Sequence, residues 1–256
     1  MLFSIVTVCY NDLQGLELTY ASVINQTFAD YEMIIVDGNS TDGTLEWLKT
    51  IDNPKIRWKS EPDKGIFDAM NKGLDQAKGK FVIFMNSYDE FASTDVLENI
   101  SLELENHPKD KFSFIYGDSI DITLEGKELY KKSRSHLLNW RGLFTSHQAM
   151  LFKINDSRFP LEYPTTSDYA YVSRYIKNAE PENILQLNLA ICKFKLGGTN
   201  ETARYRALKE DYQIRRQVIG LSMFKSSLLF ILHFIHTFLK RNSPRLTRKL
   251  RYREII

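Results

Sequence analysis

Before residue 90 the chain runs four times from a short apolar stretch straight into a cluster of polar, turn-forming residues. The apolar runs are Phe3 to Val8, Met33 to Val36, Ile56 to Lys59 and Phe81 to Met85. The clusters that end them are Tyr10-Asn11, Asp37 to Asp42, Asp63-Lys64-Gly65 and Asn86 to Asp89. Runs of that length read as strands, and helical patterns lie between them. One extends to about Gln26. A second covers Asp42 to Ile51, with Leu45, Trp47 and Leu48 as apolar positions and Ser40 or Thr41 as its cap. A third, Gly65 to Ala77, spaces Ile66, Phe67, Met70, Leu74 and Ala77 for one helix face. Strands alternating with helices predict an α/β fold with a mostly parallel central sheet flanked by helices. Ligands bind such sheets beyond the carboxyl ends of the strands. Polar clusters at four strand ends therefore predict one shared site.

After about residue 110 the alternation weakens. Phe112 to Tyr116, Ile120 to Thr123, Lys127 to Tyr130, Ala149 to Phe152 and Leu185 to Leu196 read as strands, and Ser167 to Ala179 reads as a helix. These patterns divide the chain into a domain over 1–200, with halves at about 1–110 and 111–200, and a helical, basic extension over 201–256.

Neither GxGxxG nor GxxxxGK[ST] occurs. A nucleoside diphosphate at this site would need a metal ion instead of a glycine-rich phosphate loop. Magnesium and manganese favour carboxylate oxygens and bridge them to substrate phosphates. Asp89, at the end of an apolar run, suits that task, or caps the helix that follows. Asp37 is able to accept from a base imide or a ribose hydroxyl, or to close an ordinary turn. Tyr10 is able to stack on a base, or to sit half-buried. A nucleotidyltransferase, a rival that uses similar metal chemistry, calls for a basic, glycine-rich loop that Tyr10 to Gly15 does not supply.

Thr7-Val8-Cys9-Tyr10-Asn11, Val36 to Thr44 and Glu61 to Gly73 resemble family 2 glycosyltransferases, as do Phe84 to Asp89, Ser146-His147-Gln148 and Ser167-Asp168-Tyr169. The likeness covers roughly residues 3 to 200 and is greatest to the branch that builds bacterial exopolysaccharides such as colanic acid. It implies a GT-A, Rossmann-like fold and an inverting hexosyl- or N-acetylhexosaminyl transfer. It also implies a nucleotide-diphospho-sugar donor, a UDP-sugar before others, a glycan acceptor, and Mn2+ or Mg2+ as cofactor. By position, Thr7, Tyr10, Asn11, Asp37 and Asp63 would hold the nucleoside, and Ser40, Asp42 and Asn71 would shape or support its pocket. Asp89 would hold the metal, Asp168 would be the catalytic base, and His147 and Gln148 would meet a sugar hydroxyl. Ser87 and Tyr88 stand where carboxylates often stand in the metal motif. That departure leaves a second reading: a sugar-nucleotide-binding or scaffold protein without turnover.

Seven basic residues and one acidic residue lie between Lys240 and Ile256, although the whole chain carries a net charge of only +2. The body is therefore mildly acidic, which argues against nucleic acid as a partner. The preceding stretch, Ser226 to Leu239, is apolar but shorter than a spanning helix needs. Together they predict a helix lying in a membrane interface through residues about 221–256, consistent with a lipid-linked acceptor, or else a helix packed on the protein or on a partner subunit with a solvated charged tail. Only two cysteines occur, Cys9 and Cys192, and the N-terminus reads as a first strand and not as a signal peptide. The expected location is the cytoplasm, at the inner face of the cell membrane.

Overall fold

The computed structural model describes residues 1–196 and 203–242. Its first half alternates as the sequence predicts: β1 (Phe3–Cys9), α1 (Leu13–Ile24), β2 (Tyr31–Asp37), α2 (Thr44–Leu48), β3 (Ile56–Ser60), α3 (Ile66–Gln76) and β4 (Phe81–Phe84). β1 pairs in parallel with both β2 and β4, and β2 pairs in parallel with β3. Every residue of β1, β2 and β4 is buried. Helices covering both faces explain why these strands are continuous apolar runs and not alternating ones. Leu16 and Val23 of α1 pack on one face; Phe67, Met70 and Leu74 of α3 pack on the other.

The second half adds β5 (Glu90–Phe91), α4 (Val96–Glu105), β6 (Phe114–Ile122), β7 (Glu128–Lys131), β8 (Met150–Lys153), α5 (Ser167–Asn178) and β9 (Ile184–Lys195). The sheet order is β3-β2-β1-β4-β8-β6-β9-β5, with β7 paired to β6. β8 runs antiparallel to β4 and to β6, β5 runs antiparallel to β9, and β6 is parallel to β9. The sheet is thus parallel across its first four strands and mixed beyond them.

Besides β5 and α4, which the sequence reading does not place, two elements differ from it by more than a frayed end. Helix α2 is shorter than expected, and its N-cap is Gly43 in the left-handed region (φ 97°). Ser40 is not the cap because its hydroxyl is committed to Asp37 and to the Asn11 N–H. The two expected strands near 112–116 and 120–123 are one strand, β6, with a register irregularity around Gly117 that breaks the apolar pattern.

Beyond residue 202 come α6 (Arg204–Ile214), one wide turn over Arg215–Ile219 and α7 (Met223–Asn242). Ile214 and Val218 pack with Tyr163, Tyr169 and Ala170, so this segment shares a core with α5. Arg215 is fully buried there and donates to the carbonyls of Trp140 and Arg141 at 3.2 and 3.3 Å. Its guanidinium lies 3.6 Å from Asp211, whose carboxyl burial pushes up to about 6 against the pull of that charge. Ser226, Leu229 and Thr237 of α7 are buried, while Phe224, Leu228, Ile231, Leu232, Ile235 and Phe238 are exposed. Among the described residues no helix is long and apolar enough to cross a membrane. The basic stretch beyond Asn242 lies outside the described residues.

Candidate functional site

The loops after β1 and β2 are stitched together. The Asn11 N–H donates to Ser40 Oγ at 2.7 Å, and the Thr41 N–H donates to Asn11 Oδ1 at 2.8 Å. Asp42 accepts from the Leu13 N–H at 3.0 Å and from the Thr44 hydroxyl at 2.6 Å. The Thr44 bond is the main reason its carboxyl is held below the usual range. Asn11 and Asn39 adopt positive φ, 49° and 66°, a conformation asparagine tolerates better than most residues. The result is a rigid ledge at the end of β1 and β2.

Tyr10 and Asp63 face each other across Gly38 on that ledge. A methyl group built at Gly38 would lie 2.7 Å from Asp63 Oδ2 and 3.1 Å from the Tyr10 ring. Tyr10 is 66% exposed, so its ring is available for stacking. Asp63 also accepts from the Gly65 N–H at 2.7 Å, which fixes its direction. Asp37 is placed otherwise. It is completely buried, and its oxygens accept from the Ser40 N–H at 3.1 Å, the Ser60 hydroxyl at 2.6 Å and the Ser40 hydroxyl. It braces the turn from beneath. Thr7 is also fully buried, with a hydroxyl oxygen that has no protein partner. Asn71 clamps the backbone of Phe159 through reciprocal bonds of 2.9 and 2.8 Å, supporting the pocket from the α3 side.

The turn after β4 holds Asp89. Its Oδ2 accepts from the Asn86 N–H at 2.9 Å and from Gln148 Nε2 at 3.0 Å. Burial pushes this carboxyl up to about 7, with His147, Gln148 and the Asn86 N–H pulling the other way. Asn86 Oδ1 is buried and has no partner. Among the described residues no three His, Cys, Asp or Glu side chains form a cage for a cation. Mg2+ and Mn2+ ordinarily take one or two protein carboxylates and complete their shell with water and substrate phosphates. The Asp89 carboxylate beside an orphaned amide oxygen fits that pattern. Tyr88 does not compete for it: at φ 69° its side chain turns away, its hydroxyl donates to Gln14 at 3.0 Å, and Lys195 Nζ lies 4.4 Å from its ring centre.

His147 connects this turn to α5. One ring nitrogen, Nε2, is 3.4 Å from Asn86 Nδ2; the other, Nδ1, is 3.5 Å from Asp168 Oδ2. An amide N–H at Asn86 makes Nε2 the acceptor, which leaves the Nδ1 proton facing the carboxylate. Asp168 sits in the first turn of α5, where the helix end favours its negative charge. Gln148, expected to meet a sugar, is instead buried and spent on Asp89.

Glu210 of α6 was invisible to sequence reasoning. It is buried, and one oxygen accepts from the Thr165 N–H, the Thr166 N–H and the Thr166 hydroxyl at 2.9, 2.9 and 3.1 Å. A residue from the C-terminal segment therefore anchors the entry to the helix that carries Asp168. Asp168 and His147 open into a cleft of about 670 Å³, whose lining also includes Arg134, Arg141, Arg204 and the α7 residues His233 and His236.

Comparison with known proteins decides the family. Residues 4–160 match Glycosyl transferase family 2. The chain belongs to that family. It is similar to an uncharacterized glycosyltransferase of Haemophilus influenzae, 25% identical over 249 residues that cover 93% of this chain and 97% of that protein. A PGL/p-HBAD biosynthesis glycosyltransferase of Mycobacterium tuberculosis is 31% identical over 159 residues, 60% of this chain and 56% of its own length. Another M. tuberculosis relative, an uncharacterized glycosyltransferase, is 39% identical over 95 residues, 37% of this chain and 36% of its own. The chain thus spans about a third to just over half of these mycobacterial relatives. S. aureus TarS 1–349 in complex with UDP-GlcNAc superposes with a TM-score of 0.68 at 18% identity, covering 98% of this chain and 77% of that one. The mannosyltransferase PcManGT of Pyrobaculum calidifontis, in complex with GDP-Man and Mn2+, gives 0.57 at 16% identity, covering 91% and 69%. At such identities the likeness is one of fold, and the fold is GT-A.

Proposed function

We propose that this family 2 member is an inverting glycosyltransferase that moves a hexosyl or N-acetylhexosaminyl unit from a nucleotide-diphospho-sugar to a glycan acceptor. Bacterial surface polysaccharide synthesis is the setting its motifs imply, and a UDP-sugar is the first donor to test. The carrying observation is the line Asn86–His147–Asp168, which joins the Asp89 turn to a carboxylate at the mouth of a cleft.

The nucleoside would lie over Gly38, stacked on Tyr10 and within reach of Asp63 and Asn11. Asp37, Ser40 and Asp42 hold that ledge in shape from below. Asp89 and Asn86 Oδ1 would hold a divalent cation, which when bound neutralises charge on the departing diphosphate. Asp168 accepts the proton of the attacking acceptor hydroxyl. The acceptor oxygen bonds to the anomeric carbon as the bond from that carbon to the diphosphate breaks on the opposite face. The His147 Nδ1 proton keeps the carboxylate of Asp168 oriented during this step.

The exposed apolar face of α7, followed in sequence by the basic stretch from Lys240, supports peripheral contact with an anionic membrane at the inner face of the cell membrane. Co-sedimentation with anionic vesicles, lost in Ile231→Ser/Ile235→Ser, tests that contact.

The deciding experiment measures nucleoside diphosphate release from a panel of nucleotide-sugars with and without Mn2+. Release that is abolished in Asp89→Ala supports a metal-assisted transferase. The competing reading, a donor-binding protein without turnover, is motivated by Ser87 and Tyr88. It predicts donor affinity in calorimetry and no release with any acceptor.

A further inference from the structure

The cleft in front of Asp168 is unusually cationic for a site that is to receive a neutral sugar. Arg134, Arg141 and Arg204 line it, and Lys131 joins them at 4.0 Å from Asp121. Asp168 and Asp211 are the carboxylates among its described lining residues, and Asp211 already faces the buried Arg215. Among the described residues neither Arg134, Arg141 nor Arg204 forms an ion pair. Arg134 donates to the Leu143 carbonyl at 2.8 Å, and the Arg141 guanidinium lies 5.8 Å from the Trp140 ring centre. His233, also on the cleft wall, is driven down to about 4, first by burial and then by Arg215, Arg204, His236 and Arg141.

These cations do not belong to the nucleoside end. Tyr10, Asn11, Asp63 and Asp89 are absent from the cleft lining, whereas His147 and Asp168 are part of it. The same cleft is walled by His233 and His236 of α7, the helix whose other face exposes Leu228, Ile231, Leu232 and Ile235. The protein thus brings to one cleft a carboxylate, three guanidiniums that form no ion pair among the described residues, and a helix whose other face is apolar. A sugar carried on a lipid diphosphate presents a matching set of groups: a reacting hydroxyl, two phosphates and hydrocarbon. Guanidinium forks suit phosphate oxygens in particular.

We propose that Arg134, Arg141 and Arg204 form a subsite for the diphosphate of a lipid-diphosphate-linked acceptor. The assignment of the subsite to an acceptor rests on the reading of Asp168 as the base given above.

The test titrates the full chain with farnesyl diphosphate, inorganic pyrophosphate and farnesol by calorimetry, in EDTA so that no metal-bridged binding at Asp89 contributes. The expected result is that farnesyl diphosphate binds more tightly than pyrophosphate or farnesol, and that Arg141→Gln/Arg204→Gln weakens it by about tenfold or more, about 1.4 kcal/mol. Both arginines are exposed, so folding is spared; Arg134→Gln provides a second variant with the same expected direction. Asp89→Asn is expected to leave this affinity in place. Equal loss in Asp89→Asn would put the diphosphate in the donor site and overturn the proposal. No binding, unchanged binding in the arginine variants, or equal affinity for pyrophosphate and farnesyl diphosphate would each overturn it as well. Asp168→Asn separates the two readings: if it keeps normal turnover the base assignment fails, whereas diphosphate affinity reports on the subsite alone.

Discussion

His147 Nδ1 lies 3.5 Å from Asp168 Oδ2 while its other nitrogen faces Asn86, so a single imidazole spans the gap between the Asp89 turn and helix α5. A carboxylate held this way has a defined direction, and its proton-accepting oxygen is set by a neighbour that is itself held. Partners that orient a functional group typically matter by about 10–100-fold. His147→Ala is therefore expected to lower kcat by about that factor while leaving donor affinity within twofold or so, because His147 lies outside the Tyr10–Gly38–Asp63 ledge. Steady-state kinetics with calorimetric donor titration checks it. A fall in donor affinity equal to the fall in kcat would remove His147 from this role.

Asp89 makes the metal-free protein sensitive to pH in an unusual direction. Burial raises its carboxyl from the ordinary value to about 7, so the folded state holds a proton that the unfolded chain releases near pH 4. The unfolded state then binds fewer protons between those limits, and this group's contribution to stability is full below about pH 4 and declines as pH rises to about 7. Asp89→Asn should remove the decline. The variant is expected to melt higher than the parent at pH 8 in EDTA, with the difference vanishing at low pH, and to lose Mn2+-dependent activity. Thermal melts of both proteins across this range decide it; equal melting temperatures at pH 8 would show that Asp89 is not buried as charged.

The parallel half of the fold is legible in the sequence because its strands are covered on both faces. Complete burial turns each strand into a continuous apolar run, and each run stops where the chain must meet solvent and ligand. Asp89 stands out for the same reason, as a carboxylate next to such a boundary, whereas Asp168, in the first turn of a helix, is reached only through the family resemblance. Asp37 shows the limit of that logic. A carboxylate at a strand end suggests a ligand contact, yet Ser40 and Ser60, the latter 23 residues away, take up its oxygens. Glu210 is further out of reach, since it bonds residues 44 and 45 positions earlier and carries no local signature. Arg141 and Arg204 likewise line one cleft although no local pattern in the sequence joins them.

Glu210 ties that packing to the site. Its carboxylate satisfies two backbone N–H groups and one hydroxyl at the start of α5, each bond contributing about 1 kcal/mol and more where an ion accepts. Glu210→Ala leaves those half-buried donors without their partner, and a loss of about 1–3 kcal/mol of stability is expected. Glu210→Gln keeps the shape and part of the acceptor capacity. It should recover most of the stability while kcat stays several-fold low, because the loop before Asp168 is held less firmly. Denaturant melts and kcat for the two variants test the separation; identical kcat in Glu210→Gln and the parent would confine Glu210 to a stabilising role.

Gly38 provides the test of the nucleoside ledge that least disturbs the fold. Its φ lies outside the left-handed region, so alanine is compatible with the backbone there. The added methyl would stand 2.7 Å from Asp63 Oδ2 and 3.1 Å from the Tyr10 ring, forcing both side chains to move. Asp63 is partly fixed by the Gly65 N–H, so the easier response is for Tyr10, which is exposed, to swing away. A base stacked on that ring loses its platform, an effect of about 1–3 kcal/mol per base. Gly38→Ala is accordingly expected to weaken donor binding by about 5–100-fold with a melting temperature close to that of the parent. Calorimetry with the preferred nucleotide-sugar, set beside a thermal melt, reads both quantities. Unchanged donor affinity in a folded variant would move the nucleoside away from Tyr10 and Asp63 and require another face of the sheet for the donor.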